Sequence, residues 1–328
     1  MKKLNILVLF LLCVSLFSVN AFSQTEEQRK YVFKSISSEF IKMINSGNVN
    51  GISTKKHSDY TYIDLYLDTD DLDLYKNNLS LRIRKRNFGD GTVEYGMQLK
   101  SEMLVNGQAR MEVEEDELNF YNIVLADNSK VKLQDELNTV FTRFIKLIDL
   151  NPNIQVKDDA VISSKIDNIN TWINFKLNAA IAPFQKLNRM KLISKLSLRT
   201  LKPVLIGKSN RQRVHVFINR KDTADDLTDF PASTRASSST PSDLRDTNLI
   251  WTMEASFDSA KFYPLSNTLS NELNFHQINE FEVENKYLPH ANSKVIMDRF
   301  ENSMIQDYKA QINLESKYKK SIKGLCTK

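Results

Sequence analysis

The sequence predicts an α+β protein built on antiparallel β-structure. Three observations carry that prediction. Two separate regions, about 60–115 and 201–287, alternate apolar with polar or charged residues at a period of two, which puts neighbours on opposite faces of a strand. Between them the apolar spacing turns helical, and a second helical pattern closes the chain. Asp90-Gly91 and Asn106-Gly107 interrupt the first region as hairpin turns do.

The chain opens with Lys2 and Lys3, an apolar run from Leu4 to Val19, and Ala21-Phe22-Ser23. This pattern reads as a secretory signal peptide over 1–23, with Gln24 as the mature start and a retained anchor as the alternative. The expected location is outside the cytoplasm, periplasmic or extracellular. No later segment reaches the ~18 apolar residues that span a bilayer, so no stable membrane span is expected after cleavage. The mature part, 24–328, then reads as one domain with a helical insertion at 127–199 and a flexible loop at 221–248.

Thr25 to Val32 has no clear period. Ser37 to Ser46 reads as a helix stopped by Gly47. Tyr60 to Asp68 reads as a strand with Ile63, Leu65 and Leu67 on one face. In Leu79 to Arg86, Leu79, Leu81 and Ile83 oppose Ser80, Arg82, Arg84 and Arg86. Tyr95 to Lys100 and Arg110 to Glu114 continue the pattern as two more strands of a meander. Leu133, Leu137, Val140, Phe144 and Leu147 follow helical spacing, as do Ile162, Ile166, Ile169 and Ile173. A third helix is expected after Pro183. This block is either a subdomain or a set of helices on the outer face of the sheet. Strands resume with Arg211 to Phe217, Leu249 to Phe257 and Glu280 to Lys286. A long helix is expected from Asn292 to about Tyr318, followed by a solvated tail carrying Lys317, Lys319, Lys320 and Lys323, with a membrane-surface or polyanion role for that tail as the alternative.

Composition narrows the chemistry. Glycine is scarce, 8 in 328 residues, and neither GxxxxGK[ST] nor GxGxxG occurs, which argues against a P-loop or Rossmann phosphate site. Loss of Lys2 and Lys3 leaves 43 basic against 40 acidic residues, a balance that does not suggest nucleic-acid binding. Any anion site must come from local arrangement. Only Cys326 would remain after cleavage, so no internal disulfide is expected.

Glu280, Glu282, Glu284 and Lys286 share one strand face. Such a row is either a solvated surface or a site for a cation and its anionic ligand. His215, beside Arg211 and Arg213, is either a hydrogen-bonded structural histidine or a ligand. Arginine and glutamate rows inside a barrel would be costly unless each charge were paired or bound a ligand. A polyphosphate with divalent cations matches both rows, since guanidinium forks hold phosphate oxygens and carboxylates hold the metal.

Tyr66-Leu67-Asp68-Thr69, then Leu81-Arg82-Ile83-Arg84, then Leu99-Lys100, then Arg110-x-Glu112-x-Glu114, resembles the CYTH domain of the triphosphate tunnel metalloenzyme superfamily. Glu280-x-Glu282-x-Glu284-x-Lys286 resembles its later acidic strand. The resemblance implies an eight-stranded antiparallel tunnel, Mg²⁺ or Mn²⁺, and a substrate carrying a triphosphate or longer phosphate chain. By the same resemblance Arg82, Arg84, Lys100, Arg110, Arg211, Arg213 and Lys286 would hold phosphates. Glu280, Glu282 and Glu284 would hold metal, with Glu26, Glu112 and Glu114 as further candidates, and Glu282 and Glu284 would serve catalysis. One departure stands out. The family opens with an E-x-E-x-K strand, and the nearest match here, Glu26 to Lys30, has Gln28 in place of the second glutamate. The segment is either that strand with a weakened metal site or a polar lead into a helix. The expected function is an exported metal-dependent phosphohydrolase acting on inorganic triphosphate or a related chain. A non-catalytic extracytoplasmic module that binds polyphosphate or another polyanion is the alternative.

Overall fold

A computed structural model of the chain describes residues 24–33, 46–49, 52–101, 104–105, 109–112, 129–179, 201–219, 249–266, 269, 274–285, 297–299, 301–303, 305–313 and 315–326. Its strands are β1 (Gln24–Val32), β2 (Asn48–Val49), β3 (Ile52–Asp68), β4 (Leu79–Phe88), β5 (Val93–Ser101), β6 (Leu104–Val105), β7 (Ala109–Glu112), β8 (Lys202–Asn219), β9 (Leu249–Pro264), β10 (His276–Asn285) and β11 (Gln311–Ile312). Its helices are α1 (Asp73–Lys76), α2 (Ser129–Leu150), α3 (Ala160–Ala179) and α4 (Lys317–Cys326). The signal-peptide segment, the helix expected at 37–45, the helix after Pro183 and the 221–248 loop lie outside the described residues.

The strands follow one path, β5-β4-β3-β8-β9-β10-β1-β7-β6, with every neighbouring pair antiparallel. Eight of them have four residues or more, and β2, β6 and β11 are two-residue pieces. The path curls until β7 lies near β5. No ladder among the described residues joins those two strands, so the sheet is not closed as a barrel. This corrects the expected meander. β4 and β5 form the predicted hairpin, with Gly91 at φ 86 in its turn. The next charged strand, β7, leaves β5 and pairs with β6 and β1 instead. Its partner β1 is the segment whose period was unreadable. β1 is a strand, which decides between the two readings of Glu26 to Lys30.

Alternation sorts the side chains into two sets, and each set is covered differently. On the outer face, Ile63, Leu65, Leu67, Leu81, Ile83 and Ile206 pack against Leu133, Leu137, Val140, Phe141 and Phe144 of α2 and Ile162 and Ile169 of α3. Burying each such side chain contributes about 1.5–3 kcal/mol. The described part of the helical block is therefore a pair of helices on the outside of the sheet. It has no need of a core of its own.

The inner face meets α4. The long helix expected from Asn292 to Tyr318 does not form. Helical turns at 297–299 and 301–303 give way to a turn at Asp307, Lys309 takes φ 55, and Gln311–Ile312 joins the edge of β1. The Asn313 amide donates to the Lys30 carbonyl at 3.0 Å. Pairing with an open strand edge outweighs the weak helical spacing, and Ile312 ends half exposed rather than buried. The lysine-rich tail is only partly solvated: α4 buries Lys317 and Lys320, while Lys323 stays exposed.

The Asp68-Thr69 pair explains where α4 docks. The Asp68 carboxylate accepts from the amides of Thr69, Leu74 and Tyr75 at 2.7, 2.8 and 3.0 Å, shaping the α1 turn. It also accepts from the Tyr318 hydroxyl at 2.5 Å. The Tyr318 ring stacks on Tyr66 with centroids 5.0 Å apart. Ile322 and Leu325 complete an apolar floor with Leu205, Ala260, Phe262 and Ile278. Gly324 allows this approach, since a Cβ there would lie 2.2 Å from the His276 ring.

Candidate functional site

Period two places Tyr62 and Asp64 of β3, Arg82 and Arg84 of β4, Arg211 and Arg213 of β8, Glu254 and Asp258 of β9, and Glu280 and Glu282 of β10 on the inner face. The registers Arg84↔Asp64, Arg211↔Asp258 and Asp258↔Glu280 set them side by side. Lys30 of β1 lies opposite Glu282. The sequence thus delivers cationic and anionic strands to one buried surface.

Arg84, Arg211 and Arg213 each fork onto a neighbouring carboxylate. Arg84 donates to both Asp64 oxygens, Nε to Oδ1 at 2.6 Å and Nη2 to Oδ2 at 2.7 Å. Arg82 reaches the same Oδ2 at 3.4 Å. Arg211 grips Asp258, with Nε to Oδ1 at 2.6 Å, and reaches Glu282 Oε2 at 3.2 Å. Arg213 grips Glu254, with Nε to Oε1 at 2.7 Å. Lysines hold the remaining oxygens. Lys317 Nζ lies 2.7 Å from Asp258 Oδ2 and 2.8 Å from Glu280 Oε1. Lys320 bonds the other Glu280 oxygen, and Lys30 bonds Glu282.

These contacts set the protonation states. Burial pushes the Glu280 carboxyl up, but Lys317, Lys320 and Lys30 outweigh it and hold the group below the usual carboxylate range. Burial likewise opposes ionisation of Glu282, and Lys30, Lys317 and Arg211 hold it well below that range. Asp64 is lowered to about 2, since Arg82 and Arg84 overcome its burial. Burial would lower Lys317, yet Asp258 and Glu280 lift it well above the ordinary lysine value. Asp64, Glu280 and Glu282 are therefore ionised at neutral pH, while burial, opposed by Glu280, lowers Lys320 from the ordinary lysine value.

Oxygen atoms of Asp258, Glu280 and Glu282 lie within 4.8 Å of one another. Oxygens on opposite sides of a Mg²⁺ with ~2.1 Å bonds lie ~4.2 Å apart, so three oxygens within the 4.8 Å bound are of a size to share one cation. The donor set is all carboxylate oxygen, which fits a hard divalent cation such as Mg²⁺ or Mn²⁺ and not a thiophilic one. The same oxygens already carry Lys30, Lys317, Lys320 and Arg211. A cation there would need an anion beside it to take over those ammonium and guanidinium groups.

Arg82, Arg84, Arg211, Arg213, Glu280 and Glu282 lie together on the inner face. Glu284 is only partly buried and lies two residues along β10 from Glu282, in register with Gln28 and Glu254. Asp258 takes the third place beside Glu280 and Glu282. Lys100 is half-buried on β5, in register with Ser80 and two residues from Gln98. Glu26, Arg110 and Glu112 hold register positions on β1 and β7, with Glu26 opposite Arg110. Glu114 and Lys286 lie outside the described residues. His215 is buried against His57, ring centroids 4.1 Å apart, where burial lowers it to about 4.

Sequence reading missed Asp64, Glu254 and Asp258 as partners, and placed Lys317 and Lys320 in a solvated tail. Glu254 and Asp258 carried a usable signal, four residues apart on one strand face. Lys317 and Lys320 carried none, because a basic tail reads as solvated without its docking partner.

A curled antiparallel sheet with a buried lining of paired arginine, lysine and carboxylate groups is the architecture of a tunnel-type anion site. A family model described as the CYTH domain matches residues 28–231, more than half of the chain, and the protein belongs to that family. The matched stretch ends before β9, β10 and α4. Among solved structures, a putative adenylate cyclase from Bacillus halodurans is 13% identical, with 90% of this chain and 97% of that one covered at a TM-score of 0.38. A putative adenylyl cyclase from Hippeastrum, described as revealing a dominant triphosphatase activity, is 11% identical, with 89% and 93% covered at a TM-score of 0.36. No curated protein matches the sequence. No helix among the described residues is long and apolar enough to cross a membrane.

Proposed function

We propose that the protein is an exported phosphohydrolase that cleaves a phosphoanhydride bond of inorganic triphosphate or a related phosphate chain with Mg²⁺ or Mn²⁺. One observation carries this reading: the Asp258, Glu280 and Glu282 carboxylates interlock with Arg211, Lys30 and Lys317 on one buried surface. Phosphoryl transfer requires chiefly positioning and charge neutralisation. A bound divalent cation would supply charge neutralisation at the phosphate and orientation of the attacking water.

The chain's own groups would act as follows. Arg82, Arg84, Arg211 and Arg213 turn from their carboxylates to non-bridging phosphate oxygens, and Lys30 and Lys317 do the same. Water oxygen forms the new bond to phosphorus as the bridging P–O bond breaks, releasing the shortened chain and a proton. Glu282, held ionised well below the usual range, is a weak base. Its role is to hold charge and geometry rather than to take that proton. A second reading, a non-catalytic polyphosphate binder, draws support from Gln28, an amide at the position opposite Glu284. Export is carried by the N-terminal sequence pattern alone.

The test is phosphate release by the purified mature protein from tripolyphosphate, ATP and long-chain polyphosphate, with Mg²⁺ or Mn²⁺, beside Glu282→Gln. Turnover that falls at least 100-fold in the variant supports the hydrolase. Tight tripolyphosphate binding without turnover would replace it with the binding module. Turnover indifferent to Glu282→Gln would mean that the acidic strand has been assigned wrongly.

A further inference from the structure

Two hydroxyls on the inner face of the sheet have no hydrogen-bond partner among the described residues. They are Tyr62 Oη and Ser209 Oγ, on side chains that are 0% and 1% exposed. They are neighbours, because Tyr62 of β3 is in register with Ser209 of β8. Both lie on the inner face, two residues from Asp64 and Arg211 respectively. The Arg84 guanidinium covers the Tyr62 ring at 3.8 Å, and Arg211 lies 5.6 Å from the same ring. The charges that bear on the phenol most strongly are those of Asp258, Lys317, Arg211 and Arg84, so its oxygen is set among the groups of the candidate site.

A buried hydroxyl without a partner costs about 1–3 kcal/mol. Two of them on residues in register, with Lys317, Arg211 and Arg84 as well as the Asp258 carboxylate acting on the phenol, form a pair of donors that can take an anionic acceptor. Burial raises the phenol above its usual range, which keeps its proton in place at neutral pH. The neighbourhood also limits what that acceptor is. Ser209 shares its register row with Ala260 and Ile278, which belong to the apolar floor completed by Tyr318, Ile322 and Leu325. A group seated on the hydroxyls has charged side chains on one side and that floor on the other. An ester substituent pointing onward would have to displace the floor.

We propose that Tyr62 and Ser209 form a hydroxyl subsite that receives the free terminal phosphoryl group of the chain at the innermost point of the site. This rests on the phosphohydrolase reading for its ligand and adds the end of the chain that enters first. Tyr62 and Ser209 each donate one hydrogen bond to a terminal oxygen, while Arg84 and Arg211 flank the same group. The pair thus selects for a phosphate monoester-like end over a chain esterified at both ends.

The experiment is titration of the mature protein with tripolyphosphate in the presence of Mg²⁺, for wild type, Tyr62→Phe, Ser209→Ala and the double variant, with a melting temperature for each unliganded protein. Each single change should weaken tripolyphosphate binding by about 5- to 10-fold and leave the melting temperature equal or higher, since an unsatisfied polar atom has been removed. ATP, with one free end, should show the same losses. A diadenosine polyphosphate, with both ends esterified, should bind wild type at least ten times more weakly than ATP. Unchanged affinity in both single variants would overturn the subsite, as would a lowered melting temperature with affinity intact. Equal binding of the doubly esterified ligand would overturn the orientation. Failure of wild type to bind tripolyphosphate at all would instead refute the functional reading on which the subsite rests.

Discussion

Asp64→Asn offers a sharp test of how the inner wall is held. The carboxylate is completely buried and receives two short bonds from Arg84 and a longer one from Arg82. Its folded value of about 2 lies below the ordinary 3.8. By linkage, that difference corresponds to about 2.5 kcal/mol of stability. The sign follows from the depressed value: this stability is present above pH 3.8 and is lost as pH falls towards 2. The substitution itself leaves two buried guanidinium groups with a neutral amide between them. Removing one member of a buried ion pair costs about 3–5 kcal/mol. Two independent routes thus give a loss of a few kcal/mol at pH 7. Urea unfolding at pH 7 and pH 3 measures both. Wild type should lose stability between these values, and Asp64→Asn should start a few kcal/mol lower and have a shallower acid slope. A loss under ~1 kcal/mol at pH 7, or an unchanged slope, would refute the argument that Asp64 is the anchor of Arg84.

The stacked His57–His215 pair titrates in a different window. Burial, with His57 and Arg213 also acting downward, takes His215 from 6.5 to about 4. The folded protein therefore prefers the neutral ring, and its contribution is full above pH 6.5 and declines as pH falls towards 4. His215→Phe should flatten the urea midpoint between pH 6.5 and 4.5, leaving the Asp64 window untouched. Tyr318→Phe removes the donor that bonds the buried Asp68 carboxylate, and thermal unfolding should show a loss of about 1–3 kcal/mol. If Tyr318→Phe melts with wild type, the Asp68 clamp on α4 has no energetic weight.

Much of this architecture was legible because period-two alternation is a local property. Arg82 and Arg84 had to share a face, and so did Glu280 and Glu282, whatever their partners. The helical spacing of Leu133, Leu137, Val140 and Phe144 was equally local, though not which surface it would cover. The partnerships were not legible. β7 shows the same alternation whether it pairs with β5 or with β1. Nothing near Glu280 in sequence announces Lys317, and the basic composition of α4 argued for solvent. The predicted long helix failed for a related reason: spacing along 296–312 competes with the open edge of β1, which only the assembled sheet reveals. Asp68-Thr69 was readable as a motif, while its service to both α1 and Tyr318 was not.

The paired lining constrains how any ligand enters. Around the carboxylates of Asp258, Glu280 and Glu282 stand four cationic groups, from Lys30, Arg211, Lys317 and Lys320. This wall is thus locally positive despite its acidic trio. A divalent cation arriving alone meets four like charges and must displace them into a low-dielectric interior, where unpaired charge is costly. A phosphate chain arriving alone finds donors already assembled and adds the anion that balances them. Arriving together, the two exchange partners: ammonium and guanidinium groups pass to phosphate oxygens, and the freed carboxylates pass to the cation. The binding free energies should therefore be coupled, and by reciprocity each ligand strengthens the other by the same factor. Calorimetry should find Mn²⁺ binding weak without tripolyphosphate and at least tenfold tighter with it. Lys317→Met should raise the affinity for Mn²⁺ alone and lower it for tripolyphosphate alone. Tight Mn²⁺ binding by the wild-type protein in the absence of any phosphate would show that the ammonium groups do not guard the carboxylates.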